Sequence, residues 1–142
     1  MINVLIHTDT RYPVNRKIIR KAVSDVFAKN KIKNTPAEVS VSVVGVRKMK
    51  SLAQNYLGDS LDHEVLAFAL EGVDNDSRGG GWVDRGFINP PDGVLRLGDV
   101  VLCWPEILRL AVADNVLVDR EVYFLTCHGV EHLLGKHHET SQ

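Results

Sequence analysis

Residues 128–138 read HGVEHLLGKHH and hold four of the six histidines of the 142-residue chain. His128 and His132 are four residues apart, so a helix through them presents both imidazoles on one face. Gly135 stands where a helix commonly ends, and the chain beyond it is free to bring His138 to the same side. This stretch predicts a zincin-like metal-binding helix near the C-terminus.

The histidine spacing favours one zinc ion used for hydrolysis. Three protein ligands leave the fourth position of zinc open for water, which is typical of catalytic rather than closed structural sites. His137 is interpreted as a neighbour and not as a fourth ligand, and Cys127 on the same helix points about 100° away from His128. The predicted Zn²⁺ ligands are therefore His128, His132 and His138.

The preceding segments mix strand and helix patterns. Val39, Val41 and Val43 alternate with serines, which indicates a strand with one buried face. Apolar residues within 14–27 form one face of a helix that Pro13 opens. Strands are also predicted at residues 2–7, 65–70 and 95–103 and helices at 46–56 and 106–115, with Gly58 ending the former, and Asp119 is predicted to cap the last helix. Without strict βαβ repetition, this favours an α+β fold over residues 1–142, a single domain with a mixed β-sheet packed with helices.

Residues 71–93 are rich in glycine and proline and predict a long loop. Gly58, Gly98 and Asp99 are attributed mainly to backbone geometry, with a bulge expected at the latter two. Asn55 and Glu64 are expected at the border of a cleft and not as ligands.

Composition excludes several classes of protein. A hydrophobic content of 44% is enough for one buried core. A run of about 18 apolar residues and a signal peptide are both missing, and the two cysteines lie in apolar stretches, so we expect a cytoplasmic protein with no membrane association. A net charge of −1 gives no overall positive field for nucleic acid.

A local basic run at Arg16, Lys17, Arg20 and Lys21 has two interpretations. It is either a solvated helix face or a contact for a nucleic-acid backbone. The sequence leaves both open.

The spacing HxxxHxxGxxH is also that of metzincin proteases, which makes a small zinc metallopeptidase the alternative function. Those enzymes need a glutamate directly after the first histidine as general base, and here that residue is Gly129. Glu131 creates the inverted order HxxEH and flanks the metal direction on the other side of the helix. Glu131 is therefore the candidate catalytic base.

The whole chain resembles the YbeY family of bacterial endoribonucleases, whose signature is approximately HGxLHLxGYDH. The residues that match it are His128, Gly129, His132, Leu133, Gly135 and His138. Residues 55–58 (NYLG) and 63–68 (HEVLAF) are similar to the family's NxxYRG and TDVLSF segments, and residues 97–101 (LGDVV) to its LGDIVI segment.

The resemblance implies a zinc-dependent endoribonuclease that cuts single-stranded RNA in small-subunit rRNA maturation and ribosome quality control. Ribosomal proteins or an assembly GTPase are the partners it implies. Chemically, a zinc-activated water or a metal-polarised phosphoryl oxygen suits phosphodiester hydrolysis.

The chain departs from the family at several positions. Leu57 replaces an arginine that acts in catalysis in the family, and Arg78, Arg85 or Arg96 are the candidates to substitute for it. His63 and Glu64 stand at the family's Thr-Asp pair, so the acid is kept but lengthened, and the imidazole of His63 is a further candidate near the metal. Because of Leu57, a third hypothesis is a zinc-stabilised ribosome-assembly factor with weak catalysis.

Overall fold

A computed structural model of the protein describes residues 2–9, 11–32, 36–69 and 93–135. Within these ranges the elements are, in chain order, β1 (Ile2–Thr8), α1 (Arg16–Lys29), β2 (Ala37–Val44), α2 (Val46–Leu57), β3 (Val65–Ala69), β4 (Leu95–Cys103), α3 (Trp104–Asp114) and α4 (Val118–Leu133). The predicted loop, apart from Gly93, and the residues Arg78, Arg85, His137 and His138 lie outside the described residues. None of the described helices combines the length and apolar character that crossing a membrane requires.

The four strands form one mixed sheet in the order β1-β2-β4-β3. β1 and β2 are parallel, as are β2 and β4, whereas β3 runs antiparallel to β4. The register places Val41 opposite Val100, and Val100 opposite Ala67. This arrangement confirms the predicted α+β fold with a mixed sheet.

The alternation in β2 has the predicted result. Val39, Val41 and Val43 are buried and join the main core, while Ser40 and Ser42 on the other face are partly exposed. Helices α1 and α4 pack against each other beneath the valine face. Helix α2 packs on the opposite face, with Met49 and Ala53 against β3 and β4.

The bulge predicted at Gly98 is present. The pairing of β2 with β4 shifts its register between Glu38 and Val39, so that Arg96 pairs with Glu38 but Gly98 pairs with Val39. The φ of Gly98 is 136°, a conformation that side chains with a Cβ rarely adopt. The glycine therefore permits the extra residue in the central strand.

Helix α3 begins at Trp104, two residues before its predicted start, and the starts of α1 and α4 also differ from the prediction. Helix α1 begins at Arg16, and its N-cap is Asn15, whose side chain accepts hydrogen bonds from the N–H groups of Lys17 and Ile18. Helix α4 begins at Val118 with Leu117 at the N-cap, so the prediction that Asp119 caps it is wrong. Asp119 lies in the first turn, where a carboxylate is favourable to the helix dipole, and it accepts a hydrogen bond from Asn15 Nδ2 at 3.0 Å.

Helix α1 also covers the outer edge of β1. Arg20 Nη1 donates to the carbonyl oxygen of Val4 at 3.0 Å, and Arg16 Nη1 donates to that of Ile6 at 3.5 Å. An edge strand presents unpaired backbone groups to other chains. The two arginines occupy acceptors on this edge.

Candidate active site

Two of the three predicted metal ligands lie side by side on α4. His128 and His132 are exposed, and their ring centroids are 5.8 Å apart with an angle of 57° between the ring planes. Two imidazoles that each bind one tetrahedral zinc ion at about 2.0–2.1 Å have centroids roughly 5 Å apart. The separation of the two rings is therefore close to the one that a shared metal ion requires.

The histidine pair borders a cavity of about 210 Å³. Strand β3 lines it with Val65, Leu66 and Ala67, and Leu57, at the end of α2, lines it from another side. Apart from the two imidazoles, the described lining is apolar. The imidazoles are therefore the groups in this lining that can bind a metal.

Gly129 allows α4 to approach the sheet closely beside His128. It is buried, and a Cβ at this position would lie 2.7 Å from Cγ1 and 3.1 Å from Cγ2 of Val100. Carbon atoms in contact are ordinarily about 3.5–4.0 Å apart, so a side chain here would push the helix away from β4. The depth of α4, and with it the position of His128, depends on this glycine.

The helix ends as predicted at the glycine that follows it. The last helical residue is Leu133, and Gly135 has a φ of 83°, with its N–H donating to the carbonyl of His132 at 3.0 Å. The left-handed conformation turns the chain away from the helix axis. In the part of the chain that the structure describes, no three metal-binding side chains converge. His138 lies outside that part, so its role as third ligand stays a prediction.

Glu131, the candidate base, is directed to α1. Its Oε2 is 3.4 Å from Lys29 Nζ. Gly129 faces β4 and Glu131 faces α1, which agrees with the predicted positions on opposite flanks of α4. The salt bridge gives Glu131 a role between helices that does not involve a metal-bound water.

Cys127 also faces α1, as the helical angle predicted. Its thiol lies 3.8 Å from the carbonyl oxygen of Ala22, and burial raises its pKa. Nearby, Tyr123 donates a hydrogen bond of 2.5 Å to Asp25, which lowers the pKa of the Asp25 carboxyl and raises that of the Tyr123 hydroxyl. These contacts join α1 and α4 on the side away from the cavity.

Side-chain hydrogen bonds hold the segment between Leu57 and β3. His63 Nε2 lies 3.0 Å from Asp59 Oδ1, and Lys50 Nζ lies 2.9 Å from Asp62 Oδ1. These hydrogen bonds lower the pKa values of the Asp59 and Asp62 carboxyls. His63 is thus bound within its own segment, and it is not among the residues that line the histidine cavity.

Three arginines are candidates to substitute for the family arginine, and none of them is among the described residues that line the histidine cavity. Arg78 and Arg85 lie outside the described residues. Arg96 pairs with Glu38 at 3.7 Å across β4 and β2. Leu57, which stands at the arginine position of the motif, lines the same cavity as both histidines.

The basic run on α1 is partly committed to internal contacts. Arg16 and Arg20 donate to the backbone of β1, and Lys21 Nζ lies 3.1 Å from Asp25 Oδ2. These three side chains therefore have structural partners, which supports the interpretation of the run as a helix face.

Asp99 has a feature beyond the backbone geometry to which the sequence attributes it. Its side chain is exposed in the middle of the central strand β4 and lines a second cavity. Asn55 and Glu64, expected at the border of the cleft, are not among the lining residues of the histidine cavity. The signal that could have singled out Asp99 is a charged residue inside an otherwise apolar strand.

The family model and the relatives that match this chain carry the same family description. The family model described as Endoribonuclease YbeY matches residues 6–142. A relative from Roseiflexus castenholzii named Endoribonuclease YbeY is 30% identical over 126 residues, which cover 89% of this chain and 72% of that protein. Another of the same name, from Geobacillus thermodenitrificans, is 36% identical over 114 residues, covering 78% of this chain and 67% of the relative.

A solved structure shares the fold. The solution structure of TM1509 from Thermotoga maritima is similar with a TM-score of 0.53, covering 94% of this chain and 71% of that one at 19% identity. At this identity the likeness concerns the fold alone.

Proposed function

The chain belongs to the endoribonuclease YbeY family, and from this membership we propose that it hydrolyses single-stranded RNA with a zinc ion held by His128, His132 and His138. The observation that carries the proposal is the pair of exposed imidazoles, 5.8 Å apart, at the border of one cavity. We propose small-subunit rRNA as the substrate, in maturation and quality control of the ribosome in the cytoplasm. Ribosomal proteins or an assembly GTPase are the proposed partners.

The donor set suits zinc. Neutral imidazole nitrogens are common zinc ligands, and three of them leave a position open. When bound, zinc supplies a Lewis acid for a phosphoryl oxygen and lowers the pKa of a coordinated water. The residues of this chain contribute the rest: His128 and His132 orient the site on a rigid helix, and Gly129 sets the depth of that helix. The walls beside the imidazoles, from β3 and Leu57, are apolar.

Because Leu57 is aliphatic, we expect RNA cleavage by this protein to be slow. A guanidinium at this position would face the same cavity as the histidines and would stabilise negative charge on a phosphoryl group. Leucine has no such charge. The alternative of a zinc-stabilised ribosome-assembly factor with weak catalysis draws its support from this one residue.

The metallopeptidase alternative is weaker. It depends on Glu131 as general base, and the carboxylate of Glu131 is paired with Lys29 on α1. Replacement of Glu131 by Gln separates the two enzymes, because a peptidase would lose its activity whereas RNA cleavage would stay close to the wild-type rate. A casein-type peptide substrate and an RNA fragment, assayed with the same preparation, provide the measurement.

The metal proposal is tested by elemental analysis combined with cleavage of an rRNA fragment, with and without a chelator. We expect about one zinc per chain and loss of cleavage on chelation. His128→Ala, His132→Ala and His138→Ala should each lower both zinc content and cleavage, whereas the adjacent His137→Ala serves as the matched control and should leave both unchanged. Chelator-resistant cleavage, or full zinc content in the His138→Ala variant, would refute the proposed ligand set. RNA binding without cleavage by the zinc-loaded protein would favour the assembly factor.

A further inference from the structure

A second cavity lies on the sheet face opposite α4. Its volume is about 450 Å³, within the range of roughly 300–1,000 Å³ usual for small-ligand sites. Its polar and aromatic lining comes from His7, Ser40, Ser42, Lys48, Tyr56 and Asp99. We call this cavity the sheet-face groove.

The groove exists because α2 covers only half of this sheet face. Met49 and Ala53 of α2 pack on the side of β3 and β4. On the side of β1 and β2, Ser40 and Ser42 remain partly exposed. The register places Ser40 directly beside Asp99 and His7 directly beside Ser42, so the polar groups form one continuous floor.

Asp99 is unusual within this floor. It is an exposed carboxylate in the middle of a strand that is paired on both sides, and its neighbours in β4 are the buried residues Gly98 and Val100. Within the described ranges, no hydrogen bond or ion pair engages this side chain. Both carboxylate oxygens are therefore available to N–H donors from a ligand in the groove.

An aromatic wall stands beside the carboxylate. Tyr56 is 68% exposed, and its ring centroid lies 5.1 Å from that of Phe68. Phe68 pairs with Asp99 in the sheet register. The groove thus joins an exposed ring to a two-oxygen acceptor, and unstacked RNA bases are bound in this way, by stacking on an aromatic side chain and by hydrogen bonds to the base edge.

The acceptor selects among the bases. On its Watson–Crick edge guanine presents two adjacent donors, N1–H and N2–H, which match the two oxygens of one carboxylate in a charge-assisted pair. The corresponding edges of adenine, cytosine and uracil each place an acceptor where the second donor would be needed. Lys48, exposed at the rim, supplies a positive charge for a phosphate.

We propose that the sheet-face groove binds an unpaired guanine of the RNA substrate, with Asp99 accepting two hydrogen bonds from the base and Tyr56 stacking on it. The inference rests on the proposed function only in taking RNA as the substrate. It adds a base-selective contact on the sheet face opposite the helix that carries the histidines.

The test is binding of the four ribonucleoside monophosphates to the full-length protein, followed by amide chemical shifts. GMP should give saturable shifts at Ser40, Tyr56 and Asp99 and should bind at least fivefold more tightly than AMP, CMP or UMP. Asp99→Asn should weaken GMP binding at least tenfold, because the amide places a donor against a donor of the base. The exposed Asp119→Asn, on α4, changes the net charge equally and should bind GMP like the wild type.

Further variants test the stacking residue and separate the guanine site from the zinc site. Tyr56→Leu, on the exposed side of α2, should weaken binding of all four nucleotides, and it remains informative if Asp99→Asn does not fold. His128→Ala and His132→Ala should retain GMP binding, so a failure of the zinc nuclease proposal would leave this binding intact. Equal binding of all four nucleotides, unchanged GMP affinity in Asp99→Asn, or loss of GMP binding in the histidine variants would each overturn the guanine site. A groove that binds no nucleotide would point instead to a protein partner and would equally overturn it.

Discussion

Replacement of Gly129 by Ala tests whether the contact between α4 and β4 is as close as the structure shows. The new Cβ would lie 2.7 Å from Val100 Cγ1, about 1 Å nearer than an ordinary carbon contact. Val100 is fully buried, its β-branched side chain has few rotamers, and its strand is paired on both sides. The neighbour cannot move aside easily, so the helix must shift.

Two opposing effects set the size of the change. Overpacking of a core site costs about 1–3 kcal/mol, whereas alanine in place of glycine stabilises a helix interior by about 1 kcal/mol. We expect the clash to prevail, with a net loss of about 1 kcal/mol in the free energy of unfolding. For a chain of this length that corresponds to a decrease of roughly 3–5 °C in melting temperature.

Urea unfolding followed by circular dichroism measures this difference, and a second substitution provides the control. Val100→Ala removes both methyl groups that the new Cβ would meet, although by itself it should destabilise the core. In that background Gly129→Ala should become stabilising by up to about 1 kcal/mol, because only the helix preference remains. The reasoning would be refuted if Gly129→Ala stabilised the protein that retains Val100, or if its effect were the same in both backgrounds.

Three further predictions concern the cavity, acid stability and the sheet edge. Leu57→Arg should increase the single-turnover rate of RNA cleavage at least about tenfold, since the guanidinium would enter the histidine cavity; an unchanged rate in a folded variant would contradict the placement of this residue. Tyr123→Phe should lower the melting temperature at about pH 7, because the Tyr123 hydroxyl keeps the pKa of Asp25 below its unfolded value of about 3.9. That stabilisation is present above the unfolded pKa and is lost as the pH falls through the lower folded pKa, so the difference between the two melting temperatures should shrink steadily as the pH falls below the unfolded pKa, and a constant difference would exclude the linkage. Combined Arg16→Ser and Arg20→Ser substitutions should accelerate aggregation, measured by light scattering on heating below the melting point, since they expose the carbonyls of β1.

Local patterns were sufficient to predict most of the fold. The alternation of Val39, Val41 and Val43 has a period that suits only a strand with one buried face, and the structure buries all three. The helix starts were less certain because several polar residues stand near each one. Asn15 caps α1 although Pro13 suggested an earlier start, and Leu117 takes the position predicted for Asp119. Which polar side chain reaches the first turn depends on the path of the incoming chain, which a local pattern does not contain.

In the candidate site, too, the features set by local spacing could be predicted, whereas those set by packing between elements could not. The common face of His128 and His132 follows from helical spacing and is confirmed. The partner of Glu131 is Lys29, and that of Arg96 is Glu38. Both pairs join residues from different elements, so they depend on packing. The exposure of Asp99 also depends on packing, since it requires α2 to leave half of the sheet face open.

Because β4 lies between β2 and β3, the sheet cannot be completed in the order in which the chain is synthesised. β3 leaves the ribosome before its partner β4, and β2, which can already pair with β1, has no partner on its other edge until β4 follows. Pairing between segments distant in sequence is slow, and an unpaired apolar strand is prone to aggregation in the meantime. Pairing of β4 with β2 and β3 should therefore be the slowest step when the full chain refolds. Pulsed hydrogen exchange should show it as late protection of the Val100 amide.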